Sequence, residues 1–115
     1  MPLLKLYLPA MPAEEKGREL LAALSAIVTE CTGKPEQYVM TTLHPGSLMM
    51  SGQPGAAALA EIRSIGGLTP DVNRQISRKV CHLLEQSLGI PPNRVYLNFK
   101  ELRAGDWGWN SNTFA

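Results

Sequence analysis

The sequence predicts an α+β fold in which two β-α-β units form a mixed four-stranded sheet with two helices on one face. Three observations predict it. Two long stretches carry apolar residues at helical spacing, and each is flanked by short apolar runs of strand type. Gly33-x-Pro35 follows the first helical stretch and leads to Val39, while Gly89-x-Pro91 follows the second and leads to Val95 at the same offset. The helix, glycine, proline, strand order thus recurs 56 residues apart, which suggests an internal repeat of two β-α-β units.

Residues 2–8 read as a mostly buried strand, with Leu4, Leu6 and Leu8 on one face and Leu3 and Tyr7 on the other around Lys5. Pro9 and Pro12 break it. Leu20, Leu21, Leu24, Ile27, Val28 and Cys31 then recur at helical spacing, Glu14, Glu15, Lys16, Arg18 and Glu19 fill the first turns, and Gly33 supplies the stop. Residues 38–43 form a β-rich run that ends in a turn at His44-Pro45-Gly46, and 47–51 is a weak candidate for a short edge strand. Residues 58–65 alternate cleanly before the Gly66-Gly67 break. Thr69 is placed to cap the second helix, Pro70 fits its first position, and Asp71 suits the positive end of its dipole. The apolar stripe runs through Val72, Ile76, Val80, Leu83, Leu84 and Leu88; Gly89 ends the helix, and 95–99 is the last strand of the repeat.

The 115 residues fit one compact domain, 1–115, with a modest core, and leave no room for a second. Eleven basic residues against ten acidic ones give a net charge of +1, which speaks against an electrostatic nucleic-acid partner. No apolar run approaches a membrane span, and the first eight residues are broken by Lys5 too soon for a signal segment. Cys31 and Cys81 lie far apart with no metal-ligand spacing around them, so neither a disulfide framework nor a metal is expected, and no cofactor motif stands out. The expected setting is a reducing compartment, the cytoplasm. With both helices on one side of the sheet, the other side needs a cover, and another copy of the chain is the natural one.

A few residues carry chemical promise. Removal of the initiator methionine would leave Pro2 as a terminal secondary amine; the reference value for an α-amino group is about 7.7–8.0, and burial or a nearby cation would lower it into the range of a base at neutral pH. Otherwise Pro2 is an ordinary terminal residue. Lys34 either meets the negative end of the first helix or, in a pocket, holds a carboxylate. Asn98, in an apolar strand run, either satisfies core groups or polarises a ligand. Seven residues are aromatic, and Tyr96, Phe99, Trp107, Trp109 and Phe114 fall in the last twenty positions, where the tail forms core, interface or, with aromatics at alternate positions of one strand, a cavity wall. His44 and His82 have no hydrolytic partners and read as turn and helix-face residues.

Met1-Pro2, Thr32-Gly33-Lys34-Pro35-x-Gln37-Tyr38, Ser64-Ile65-Gly66, Asn93-Arg94-Val95-Tyr96-x-Asn98 and Gly108-Trp109-Asn110-x-x-Thr113-Phe114-Ala115 occur in that order. In this combination the whole chain resembles the macrophage migration inhibitory factor family of the tautomerase superfamily. The resemblance implies a homotrimer and keto-enol tautomerisation of phenylpyruvate-type aryl 2-oxo acids, with Pro2 as general base. It implies that Lys34 and the backbone at Ile65 bind the substrate carboxylate region, that Tyr96 and Asn98 come from an adjacent subunit, and that Trp107, Trp109 and Phe114 are apolar wall. The alternative is a non-catalytic, cytokine-like protein with a host receptor as partner and export by a non-classical route. Ala57 and Ala60 stand where the vertebrate cytokine has a Cys-x-x-Cys pair, so its thiol chemistry is not expected here. Trp107 replaces a usual valine and Phe99 a tyrosine at the pocket mouth, and a bulkier Trp107 narrows the cavity.

Overall fold

The computed structural model describes residues 1–115. Its order is β1 (Leu3–Leu8), α1 (Glu14–Thr32), β2 (Met40–Pro45), β3 (Ala58–Ser64), α2 (Pro70–Leu88), β4 (Val95–Glu101), and a terminal hairpin of β5 (Gly108–Trp109) and β6 (Asn112–Thr113). The main sheet runs β2-β1-β3-β4. β1 pairs parallel with β2, β3 pairs parallel with β4, and the two halves join through the antiparallel β1–β3 pair. This is the expected pair of β-α-β units in one mixed sheet.

Alternation decides which face is covered. Leu4, Leu6 and Leu8 of β1 and Ala58, Ala60 and Ile62 of β3 are buried, and they share one cluster with Leu20, Leu24 and Val28 of α1 and Ile76, Val80 and Leu84 of α2. Adjacent strand residues point to opposite faces, so Leu3, Lys5, Tyr7, Leu59, Glu61, Arg63, Tyr96, Asn98 and Lys100 share the side that no helix covers. Both helices end on a left-handed glycine, Gly33 at φ 72° and Gly89 at φ 68°, a conformation that costs glycine nothing. Thr69 caps α2 by accepting from the Val72 amide, whereas Ala13 gives α1 no side-chain cap. Neither helix is long and apolar enough to cross a membrane.

Four expectations need correction. Tyr38 belongs to a 3-10 turn over Glu36–Tyr38, and the strand starts at Met40. His44 and Pro45 extend β2 and do not turn; Pro45 pairs opposite Leu8, and an edge strand tolerates a residue without an amide proton. Residues 47–51 form no strand, only a bridge between Met50 and Gln53, because Ser51 at φ 56° and Gly52 at φ 72° turn the chain back. The aromatic tail is also no single strand. Asn110 and Ser111 both adopt positive φ, at 51° and 63°, and fold it into a hairpin.

Candidate active site

The start of β1 is tied down on both sides. Pro2 is fully buried, its carbonyl accepts from the Met40 amide at 3.0 Å, and the Met1 ammonium donates to the Tyr38 carbonyl at 2.7 Å. The amine therefore sits against the corner that joins α1 to β2. That position lowers its pKa from 8.0 to about 6: burial strips water from the charged form, and the Lys34 ammonium adds like-charge repulsion. An amine held this way is largely neutral at pH 7, with a lone pair available to accept a proton.

Lys34 reaches this corner because Gly33 stops α1 and reverses the backbone. Its amide donates to Thr32 Oγ1 at 3.2 Å, and Thr32 Oγ1 donates to the Val28 carbonyl at 2.6 Å, so the last turn of the helix fixes where the side chain departs. Lys34 Nζ donates to the Ile65 carbonyl at 2.9 Å, across 31 positions of sequence. The loop after α1 is thus joined to the loop after β3. An ammonium has three donors, so this bond leaves it free to hold an anion as well.

The aromatic wall comes from the hairpin. Trp109 stacks on Phe114 with centroids 5.6 Å apart, and Tyr38 meets both edge-on, at 5.6 Å and 6.1 Å. With Pro2, Leu3 and Trp107 these rings line a cavity of about 380 Å³, within the range of small-molecule pockets. Of the expected site residues, Pro2, Trp107, Trp109 and Phe114 meet at this cavity; Lys34, bonded to the Ile65 carbonyl, acts on the Met1 amine there, but neither Lys34 nor Ile65 lines the cavity. Tyr96 and Asn98 do not join them. They stand on β4, at the opposite end of the sheet order from β2 and separated from β1 by β3, with Tyr96 65% exposed. Phe99 turns to the helix side and packs on the core, so it does not border this cavity. No group of three or more His, Cys, Asp or Glu side chains is placed to hold a metal ion. Cys31 and Cys81 are free thiols whose pKa values burial pushes up, which makes them poor nucleophiles.

Tyr38 is the site residue that periodicity misses. Assigned to a strand, it has no reason to face residue 2; in a 3-10 turn just beyond Gly33-x-Pro35, its ring and its carbonyl both reach the chain start. Its place four residues after Lys34 was the available signal.

The sequence profile described as macrophage migration inhibitory factor matches residues 1–115. The chain is 40% identical over 96 residues to the macrophage migration inhibitory factor of Rattus norvegicus, covering 83% of this chain and 84% of that one. Among solved structures, the macrophage migration inhibitory factor-like protein of Entamoeba histolytica superposes with a TM-score of 0.93 at 33% identity, covering 98% of each chain. A homologue from Prochlorococcus marinus gives 0.89 at 36% identity, covering 98% of this chain and 99% of that one.

Proposed function

The chain belongs to the macrophage migration inhibitory factor family, and from that membership we propose that it is a keto-enol tautomerase acting on phenylpyruvate-type 2-oxo acids, with Pro2 as the general base. Residues 1–115 then form one tautomerase-like domain, working in the cytoplasm as a homotrimer. The observation that carries the reading is the aromatic-walled cavity lined by Pro2, at a chain start where burial and Lys34 already lower the pKa of the Met1 ammonium.

After Met1 is removed, the neutral Pro2 nitrogen takes a proton from the carbon next to the keto group. The C–H electron pair becomes the carbon–carbon double bond, the carbonyl pair moves onto oxygen, and the protonated Pro2 delivers its proton there. Lys34 holds the substrate carboxylate beside the Ile65 backbone, while Trp107, Trp109, Phe114 and Tyr38 pack the aryl ring. Tyr96 and Asn98 reach this cavity from a neighbouring copy, whose sheet covers the open face; their separation from Pro2 within one chain supports that role.

The test follows phenylpyruvate enolisation by ultraviolet absorbance in wild type, Pro2→Gly and a variant extended at the amino terminus, with intact mass to show that Met1 is absent. Loss of the base is expected to lower kcat/KM about a hundredfold or more. Equal rates for all three, or a retained Met1 in an active protein, would sink the mechanism. Negligible turnover of every aryl pyruvate together with specific binding to a partner protein favours the cytokine-like alternative.

A further inference from the structure

Arg63 is the side chain near the cavity for which the proposed reaction has no use. It lies on β3 directly opposite Leu3, the residue that follows the proposed base. Half-buried, its side chain forms no ion pair and no hydrogen bond with another residue of the same chain. Its neighbour across the parallel pair is Lys100, a like charge. A partly desolvated guanidinium beside another cation is unfavourable unless an anion joins it.

A second hollow, of about 250 Å³, opens at this place, bordered by Arg63, Leu3, Leu102, Asp106, Trp107 and Gly108. Leu3, Trp107 and Gly108 also line the cavity at Pro2, so the two spaces share a wall and Trp107 divides them. Asp106 does not neutralise Arg63. Its carboxylate is already gripped by Arg103, whose Nε and Nη2 donate at 2.8 and 3.3 Å. Glu61, on the same face two residues before Arg63, stands opposite Lys5. Within one chain, then, no carboxylate contacts the Arg63 guanidinium at the compartment behind Trp107.

We propose that this compartment is a second anion subsite and that the preferred substrates are 2-oxo acids with a second carboxylate at the far end, held by Arg63 while Lys34 holds the carboxylate next to the keto group. The proposal rests on the tautomerase reading above. Trp107 then acts as a partition that an elongated dianion passes, and Arg63 sets specificity without touching the reacting atoms.

The test compares phenylpyruvate with its 4-carboxyphenyl analogue, by steady-state kinetics and by calorimetric binding, in wild type, Arg63→Met, Arg63→Lys and Asp106→Asn. Circular dichroism and sedimentation check fold and assembly. Wild type is expected to prefer the dianion. Arg63→Met should lower the ratio of the two kcat/KM values at least tenfold, about 1.4 kcal/mol. Arg63→Lys should restore part of that ratio, and Asp106→Asn should raise it. A ratio that Arg63→Met leaves within twofold of wild type overturns the subsite. If neither compound is turned over, the tautomerase reading fails, and binding decides the subsite alone. Preferential binding of the dianion that Arg63→Met abolishes then supports it, and equal affinity for both compounds overturns it.

Discussion

The two corners that follow the helices share a backbone and differ in what they do. Each helix has 19 residues, ends on a left-handed glycine, and is followed by a proline, a 3-10 turn and a strand parallel to the one before the helix. One residue past the glycine, the first corner has Lys34, bonded to the Ile65 carbonyl and lowering the pKa of the terminal amine. The second has Ile90, 3% exposed and part of the core. Five residues past the glycine, Tyr38 opens an aromatic wall at the first corner. Arg94 at the second bolts down the loop before β3, donating to the carbonyls of Met50, Gln53 and Ala56 at 2.7, 2.8 and 3.1 Å. The same turn is spent on a site in one half and on packing in the other. One corner backbone thus accommodates two different pairs of side chains with different contacts.

Substitutions separate the two roles. Ile90→Ala is expected to destabilise the protein by about 3 kcal/mol through lost burial and the cavity left behind, measured by urea denaturation, with kcat/KM per folded molecule unchanged. Lys34→Met should do the reverse, lowering kcat/KM on phenylpyruvate about 30-fold, as for loss of a charge-assisted contact of about 2 kcal/mol, with little change in the urea midpoint. If Ile90→Ala spoils catalysis in the folded protein, or Lys34→Met mainly unfolds it, the division between corners is wrong. Arg94→Met should cost about 1.5 kcal/mol, since its carbonyl contacts are partly exposed, and should speed amide hydrogen exchange across residues 50–56. Protection there that does not change would remove the bolt. Gly33→Ala and Gly89→Ala should each cost about 1 kcal/mol, because both need a positive φ and neither added Cβ would meet an atom within 4 Å. Unequal losses would show that the two corners are not one backbone used twice.

The fold was largely legible because its signals are local. Helical stripes, strand alternation and the repeated Gly-x-Pro each need only a short window, and the Thr69 cap with Pro70 marked the start of α2 to the residue. What escaped depends on partners far along the chain. Pro45 stays in a strand only because β1 runs beside it, and the tail folds back because Asn110 and Ser111 take a left-handed shape that few sequences announce. At the site, composition and spacing alone left Pro2 and Lys34 with ordinary readings; the family resemblance singled them out. Tyr38 was missed because a 3-10 turn and the start of a strand look alike in sequence. The solitude of Arg63 is set by register across three strands, which no local pattern carries.

Burial, with a cation at the first corner, is expected to tune an amine at the head of β1 to act as a base, and the pH dependence of kcat/KM on phenylpyruvate reads that tuning. A base must be unprotonated to react, so activity should fall as pH drops through the Pro2 amine's pKa, giving an acid limb below the ordinary α-amino range of about 7.7–8.0, since burial and Lys34 lower the Met1 ammonium at this same chain start. Lys34→Met removes the repulsion that disfavours the protonated amine, so the residual activity should show its limb moved to higher pH. That upward shift is the expected result; a wild-type profile flat between pH 5 and 8, or a limb that stays in place when Lys34 is replaced, means that Lys34 does not tune a base at the chain start.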